Sequence, residues 1–156
     1  HLKNESYDLI IASGLIEYYQ NDEELLLEIT RLLKRSGHLI INVSNKNGYS
    51  TCLNSISYFF KQNYVFKTIK AKLFKLKYGI VNFNVRKHNI RQFKKTLKRY
   101  NLYPQMEKYI GFSLLPAPFM MLFNFLTKNI DLKMEGLSNT KFKKFGASYI
   151  VLCRKN

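Results

Sequence analysis

Few side chains in this 156-residue sequence stand where they could do covalent chemistry. His88 precedes a helix-like pattern, and Glu17-Tyr18 follows a short apolar run that ends in Ser13-Gly14. An imidazole, a carboxylate or a phenol can take a proton from a reacting hydroxyl or amine, or orient it. No Ser/His/Asp or Cys/His set accompanies them. Cys52 and Cys153 lie far apart, with no C-x-x-C and no His at zinc-ligand spacing, so they read as reduced thiols and no metal site is expected. The catalytic candidates are therefore Tyr18 and His88, each with a plainer alternative. Tyr18 also reads as a half-buried aromatic at a helix start, and His88 as a surface or capping residue.

The elements that must position these groups follow from periodicity. Tyr7–Ala12 is a continuous apolar run that reads as a strand buried on both faces. Asn21 with Glu24 resembles a capping box, after which Leu25, Leu26, Ile29, Leu32 and Leu33 repeat at helical spacing. Lys34 and Arg35 suit the negative end of that helix, with Gly37 as its left-handed stop. His38–Ser44 is a second strand, so the segment reads as a βαβ unit. In open α/β sheets a ligand lies beyond the carboxyl ends of the strands. Ala12, Ser13 and Gly14 then flank one ligand position, while Val43, Ser44 and Asn45 lie nearer a second.

Downstream, Ile56–Leu76 carries Phe59, Phe60, Phe66, Ile69 and Leu73 roughly along one side and lysines over much of the rest. Asn89 and Gln92 open another helix, with Ile90, Phe93, Leu97 and Tyr100 inward and Arg91, Lys94, Lys95, Lys98 and Arg99 outward. Met106–Phe112 is a plausible strand, Pro118 suits the first turn of an apolar helix through about Leu126, and Ala147–Cys153 is a last buried strand.

Residues 7–18 with the acidic-started helix and Leu33-Lys34-Arg35-Ser36-Gly37-His38-Leu39-Ile40-Ile41 resemble class I S-adenosylmethionine-dependent methyltransferases. That family carries an F-D-x-I strand, an S-x-x-L-E-H turn, a helix, L-K-P-G-G and a further strand. Arg86–Ile90 resembles its approach to the next helix, Asn101-Leu102 stands where it usually has Gly-Phe, and Phe145–Val151 resembles its antiparallel last strand. The resemblance implies an α/β fold: a partial Rossmann-like methyltransferase sheet, strands four to seven, with a helical substrate-cover insertion over 49–85 in a single domain over 1–156. It implies S-adenosylmethionine as cofactor, with Ala12, Ser13, Gly14 and Glu17 on the cofactor side and Asn45 and Tyr49 on the acceptor side. Glu17-Tyr18 falls on the family's E-H pair with Tyr in place of His. The family's Gly-rich loop and ribose-binding acid have no counterpart here. Both are expected upstream of His1, so the chain reads as a C-terminal half that binds cofactor poorly alone.

Composition bounds the partners. Lys and Arg number 26 against 10 acids, a formal charge of +16, and from Lys34 onward no acid recurs until Glu107. This asymmetry points to an anionic partner or to compositional bias in a chain rich in Lys, Asn, Ile, Tyr and Phe. No apolar run reaches the roughly 18 uncharged residues of a spanning helix. The expected protein is cytoplasmic and acts on a small-molecule, lipid or glycan acceptor. Peripheral membrane contact through 56–77 is a further expectation. A basic RNA-binding module or RNA methyltransferase, without a recognised RNA motif, and an inactive fragment are the alternatives.

Overall fold

The computed structural model describes residues 2–49, 86–112, 130 and 133–156. Among these, the element order is β1 (Tyr7–Ala12), α1 (Asp22–Leu32), β2 (Leu33–Ser44), α2 (Ile90–Arg99), β3 (Leu102–Ile110) and β4 (Ser148–Lys155). Short 3-10 turns lie at Ile16–Tyr18, Gly136–Asn139 and Lys141–Phe145. The expected helices over 56–76 and 118–126 lie outside the described residues.

One four-stranded sheet runs β1-β2-β4-β3. β1 is parallel to β2, and β4 is antiparallel to both of its neighbours. This is the order that the methyltransferase resemblance implies, with the antiparallel last strand between the second strand and the Met106–Phe112 edge strand. β3 begins at Leu102 rather than Met106. Pro104 lies within it, because an edge strand tolerates a missing N–H, and the register shifts between Pro104 and Met106.

Both helices start as their caps dictate. Asn21 Oδ1 accepts from Glu23 N at 3.0 Å, and Asn89 Oδ1 accepts from Arg91 N at 3.0 Å. α2 ends with Asn101 at φ 57°, the left-handed position that Asn fills in place of Gly. Leu26, Ile29, Phe93 and Leu97 pack on Leu39, Ile41, Val43, Tyr149 and Val151, so both helices cover the same face of the sheet. Each such buried side chain contributes about 1.5–3 kcal/mol.

Among the described residues the opposite face is only half covered, where two-sided burial is expected of Tyr7–Ala12. Register places Ile11, Ile40, Leu152 and Met106 in one row across all four strands. Ile11 is 64% exposed and Met106 70%. The apolar run is the pattern of a two-sided strand, but the described helices pack on one side only.

The α1–β2 junction differs from its sequence reading as well. Lys34 and Arg35 belong to β2, and Lys34 pairs with Asp8 at 2.9 Å. Besides Arg31 in its own last turn, the end of α1 receives Lys155 from the far end of the chain, whose ammonium donates to Thr30 O at 2.8 Å and Leu33 O at 2.7 Å. The left-handed residue is Ser36, at φ 63°, not Gly37. β2 makes an irregularity there, because Tyr7 faces Leu33 while Leu9 faces His38. Gly37 is needed for proximity instead: a Cβ on it would stand 2.9 Å from Lys34 O and 3.3 Å from Asp8 O. Adjacent substitutions should therefore have opposite signs. Gly37→Ala should destabilise by about 1–3 kcal/mol through backbone overpacking. Ser36→Gly should stabilise by up to about 1 kcal/mol by relieving left-handed strain. Urea unfolding of the two variants checks both.

Candidate functional site at the strand ends

The carboxyl ends of β1 and β2 lie side by side, and their polar groups are tied to one another. Past Ala12, Ser13 is exposed and Gly14 turns left-handed at φ 63°. Gly14 N donates to Asn42 Oδ1 at 2.5 Å, so a side chain of β2 holds the turn that leaves β1. A Cβ on Gly14 would meet nothing within 4 Å, which leaves the backbone open to a ligand. Glu17, in the 3-10 turn, accepts from Ser44 N through its carboxylate. Tyr18 beside it is 65% exposed. Ala12, Ser13, Gly14 and Glu17 thus form one continuous rim, with Tyr18 at its outer edge.

His88 joins the same strand end through its backbone and leaves it through its ring. Its N donates to Ser44 O at 2.8 Å, and its O accepts from Lys46 N at 3.0 Å. The ring is buried, edge-on to Phe93 with centroids 5.5 Å apart, and its Nε2 lies 3.0 Å from Asp22 Oδ1. It opens onto a polar cleft of about 390 Å³ with Asn89, Gln92, Thr96 and Arg99 of α2, not onto the rim around Gly14. Arg86 binds the same Asp22 carboxylate and donates to Gln20 O at 2.8 Å. Burial works to raise the Asp22 pKa, but the hydrogen bond and charge of His88, with the Arg86 guanidinium, outweigh it and hold the carboxyl below its usual value.

The two acceptor-side candidates have different surroundings. Asn45 is buried, and its amide donates to Lys144 O and Gly146 O, each at 2.8 Å. It ties β2 to the segment leading into β4. Tyr49 lines an open apolar groove of about 250 Å³ with Phe112, Met134, Leu137, Phe142 and Phe145. This groove lies at the same end of the sheet, where β2 and β3 finish and β4 begins.

Other titratable groups are taken up by packing. Lys94, expected in solvent, pairs with Glu107 and stands 5.4 Å above the Tyr149 ring. Tyr149 OH donates to Glu107 Oε2 at 2.7 Å. Burial and that carboxylate push the Tyr149 phenol far up, and burial pushes the Cys153 thiol up to about 12, so neither is a nucleophile at neutral pH. Sequence reasoning missed Asn42, Asp22 and Arg86 as site-building residues. The signal for Asn42 was its place inside the apolar run Leu39–Val43, where an amide needs a partner.

Residues 1–41 match the family model described as "Methyltransferase domain". No curated protein sequence matches the chain significantly. Solved structures similar to it include a SAM-dependent methyltransferase, possible histamine N-methyltransferase, from Thermotoga maritima, with TM-score 0.54, 16% identity, and coverage of 99% of this chain and 59% of that one. A SAM-dependent methyltransferase from Methanosarcina mazei has TM-score 0.54, 10% identity and coverage of 99% and 61%. One from Mesorhizobium loti has TM-score 0.53, 13% identity and coverage of 99% and 64%. The chain therefore has the partial Rossmann-like methyltransferase fold and spans about three fifths of the length of these structures.

The Asp22 cluster sets an acid limit. A carboxyl whose folded pKa is depressed contributes stability above its unfolded pKa of 3.8 and loses it as pH falls through the folded value. Asp22→Asn should cost about 1–3 kcal/mol at neutral pH, the worth of hydrogen bonds to charged groups. The difference between the two proteins should shrink as pH falls below 3.8. Urea melts at pH 7 and at successively lower pH measure it.

Proposed function

We propose that this chain, whose fold is that of the class I SAM-dependent methyltransferases, builds the strand-end part of such an enzyme's site. The proposed activity is transfer of a methyl group from S-adenosylmethionine to a small-molecule, lipid or glycan acceptor. The observation that carries the reading is Gly14, left-handed, hydrogen-bonded to Asn42 and open where its side chain would be. A ligand can lie against such a backbone, and Ser13 offers it an exposed hydroxyl.

S-adenosylmethionine supplies a methyl group activated by its sulfonium, so the demand on the protein is mainly alignment, worth up to roughly 7–11 kcal/mol. The residues fit that demand. Asn42 and Glu17 hold the β1 turn against the end of β2, fixing the rim of Ala12, Ser13 and Gly14 that would hold the cofactor. Tyr18, exposed beside that rim, is the group in reach of an acceptor hydroxyl or amine. His88 acts as a positioning residue, because its ring is engaged by Asp22 and Phe93. Asn45 fixes the acceptor side, and Tyr49 with its apolar groove supports a lipid-like acceptor over a highly polar one.

Two measurements test the reading. A valine at Gly14 cannot hold φ 63° without strain of about 1–2 kcal/mol or more, although nothing crowds it. In the full-length enzyme, Gly14→Val should weaken S-adenosylmethionine binding about tenfold or more, and Asn42→Ala should act in the same direction by releasing the Gly14 N–H. Unchanged calorimetric affinity in both variants would place the cofactor elsewhere. The 156-residue chain alone, without a Gly-rich loop, should show no micromolar binding.

A further inference from the structure

We propose that the turn Lys141–Phe145 is a docking element for an anionic lipid bilayer. A 3-10 turn has about three residues per turn, so side chains three apart line up. Phe142 and Phe145 therefore share one side and Lys141 and Lys144 the next. The two rings lie 6.4 Å apart at an interplanar angle of 30°. Phe142 is 60% exposed and Phe145 50%. Both rings border the apolar groove with Tyr49, Phe112, Met134 and Leu137, which extends the exposed hydrocarbon surface beyond two isolated side chains.

The rings are held outward by the backbone. Thr140 Oγ1 accepts from Phe142 N at 3.2 Å, and Gly146 N donates to Lys143 O at 3.2 Å. The buried Asn45 amide grips Lys144 O and Gly146 O from the end of β2. Gly146 is wedged against β3, where a Cβ would stand 3.0 Å from both Ile110 O and Tyr109 Cβ. These contacts fix the backbone that carries the two exposed rings.

Charge selects the partner. Lys141 and Lys144 are exposed, and among the described residues no carboxylate pairs with either. Glu135, the acid nearest in sequence, accepts from Gly111 N at 3.1 Å and Phe112 N at 3.3 Å. Apolar rings beside unpaired ammonium groups match a bilayer interface, with hydrocarbon below and anionic headgroups at the level of the lysines. Nucleic acid would use the same lysines, but it stacks bases on flat aromatic platforms, whereas these rings edge a groove lined by Met134 and Leu137.

Co-sedimentation of the full chain with phosphatidylcholine vesicles, with and without phosphatidylglycerol, tests the proposal beside a salt-titrated RNA-binding assay. Association should require phosphatidylglycerol. Phe142→Ser with Phe145→Ser should reduce it about tenfold or more at unchanged melting temperature, because the rings are already exposed. Lys141→Gln and Lys144→Gln should each reduce it roughly fivefold. Absence of binding to phosphatidylglycerol vesicles overturns the proposal. So does binding that survives the double Phe variant but is lost on Phe59→Ser with Phe66→Ser, which would place membrane contact in 56–77. RNA binding that needs the lysines and not the rings overturns it too. Cofactor affinity is read separately in the full-length enzyme, so absence of docking by the unaltered protein with S-adenosylmethionine binding intact removes this proposal alone.

Discussion

Where β2 leaves the sheet at Ser44, its backbone groups lose their strand partners and must find others. The replacements come from three separate parts of the chain. Glu17 takes Ser44 N–H, His88 N–H takes Ser44 O, and Ala147 O takes Asn45 N–H at 2.8 Å. The Asn45 amide then binds two carbonyls of the segment before β4. One strand end thereby fixes the turn after β1, the start of α2 and the approach to β4. The rim around Gly14 and the segment bordering the groove beside Tyr49 are both tied to it. Buried hydrogen-bond donors and acceptors left unmet cost about 1–3 kcal/mol each, so none of these contacts is easily surrendered.

That strand end was only partly legible in the sequence. β1, α1 and α2 followed from apolar periodicity and from Asn21 and Asn89, because these signals are local, whereas the antiparallel placement of the last strand followed from the family resemblance. Asn45 was singled out as an acceptor contact on its position after a strand. Its side chain reaches residues about a hundred positions away, and no window of sequence contains that bond. His88 has the same history. Its place before a helix was readable, but the Asp22 carboxylate that holds its ring belongs to the other helix.

The errors at the α1–β2 junction and along β1 have a different origin. Glycine after a helix is the usual left-handed stop, but α1 passes directly into extended backbone at Leu33, and the left-handed residue, Ser36, lies within β2. Space was the deciding constraint: β2 passes so close to Asp8 and Lys34 that only glycine fits at 37, and the left-handed turn moved one residue back. Along β1, alternation was absent because Leu9, Ile10 and Ile11 are all apolar. A continuous run encodes the capacity to be buried on both faces. Which face is covered depends on helices elsewhere, and among the described residues α1 and α2 take the same one.

The distribution of titratable groups bears on what chemistry this scaffold can host. Asp22 is bound by His88 and Arg86 on the helix side of the sheet, and Glu107 by Lys94 and Tyr149 between α2, β3 and β4. Cys153 is buried with its thiol held protonated. The rim at the strand ends is left with a hydroxyl at Ser13, a phenol at Tyr18 and the engaged carboxylate of Glu17. Such a rim is poor in acid–base pairs and rich in fixed backbone. The methyl transfer proposed above would demand geometry first, and the ends of β1 and β2 are interlocked through Asn42 and Glu17.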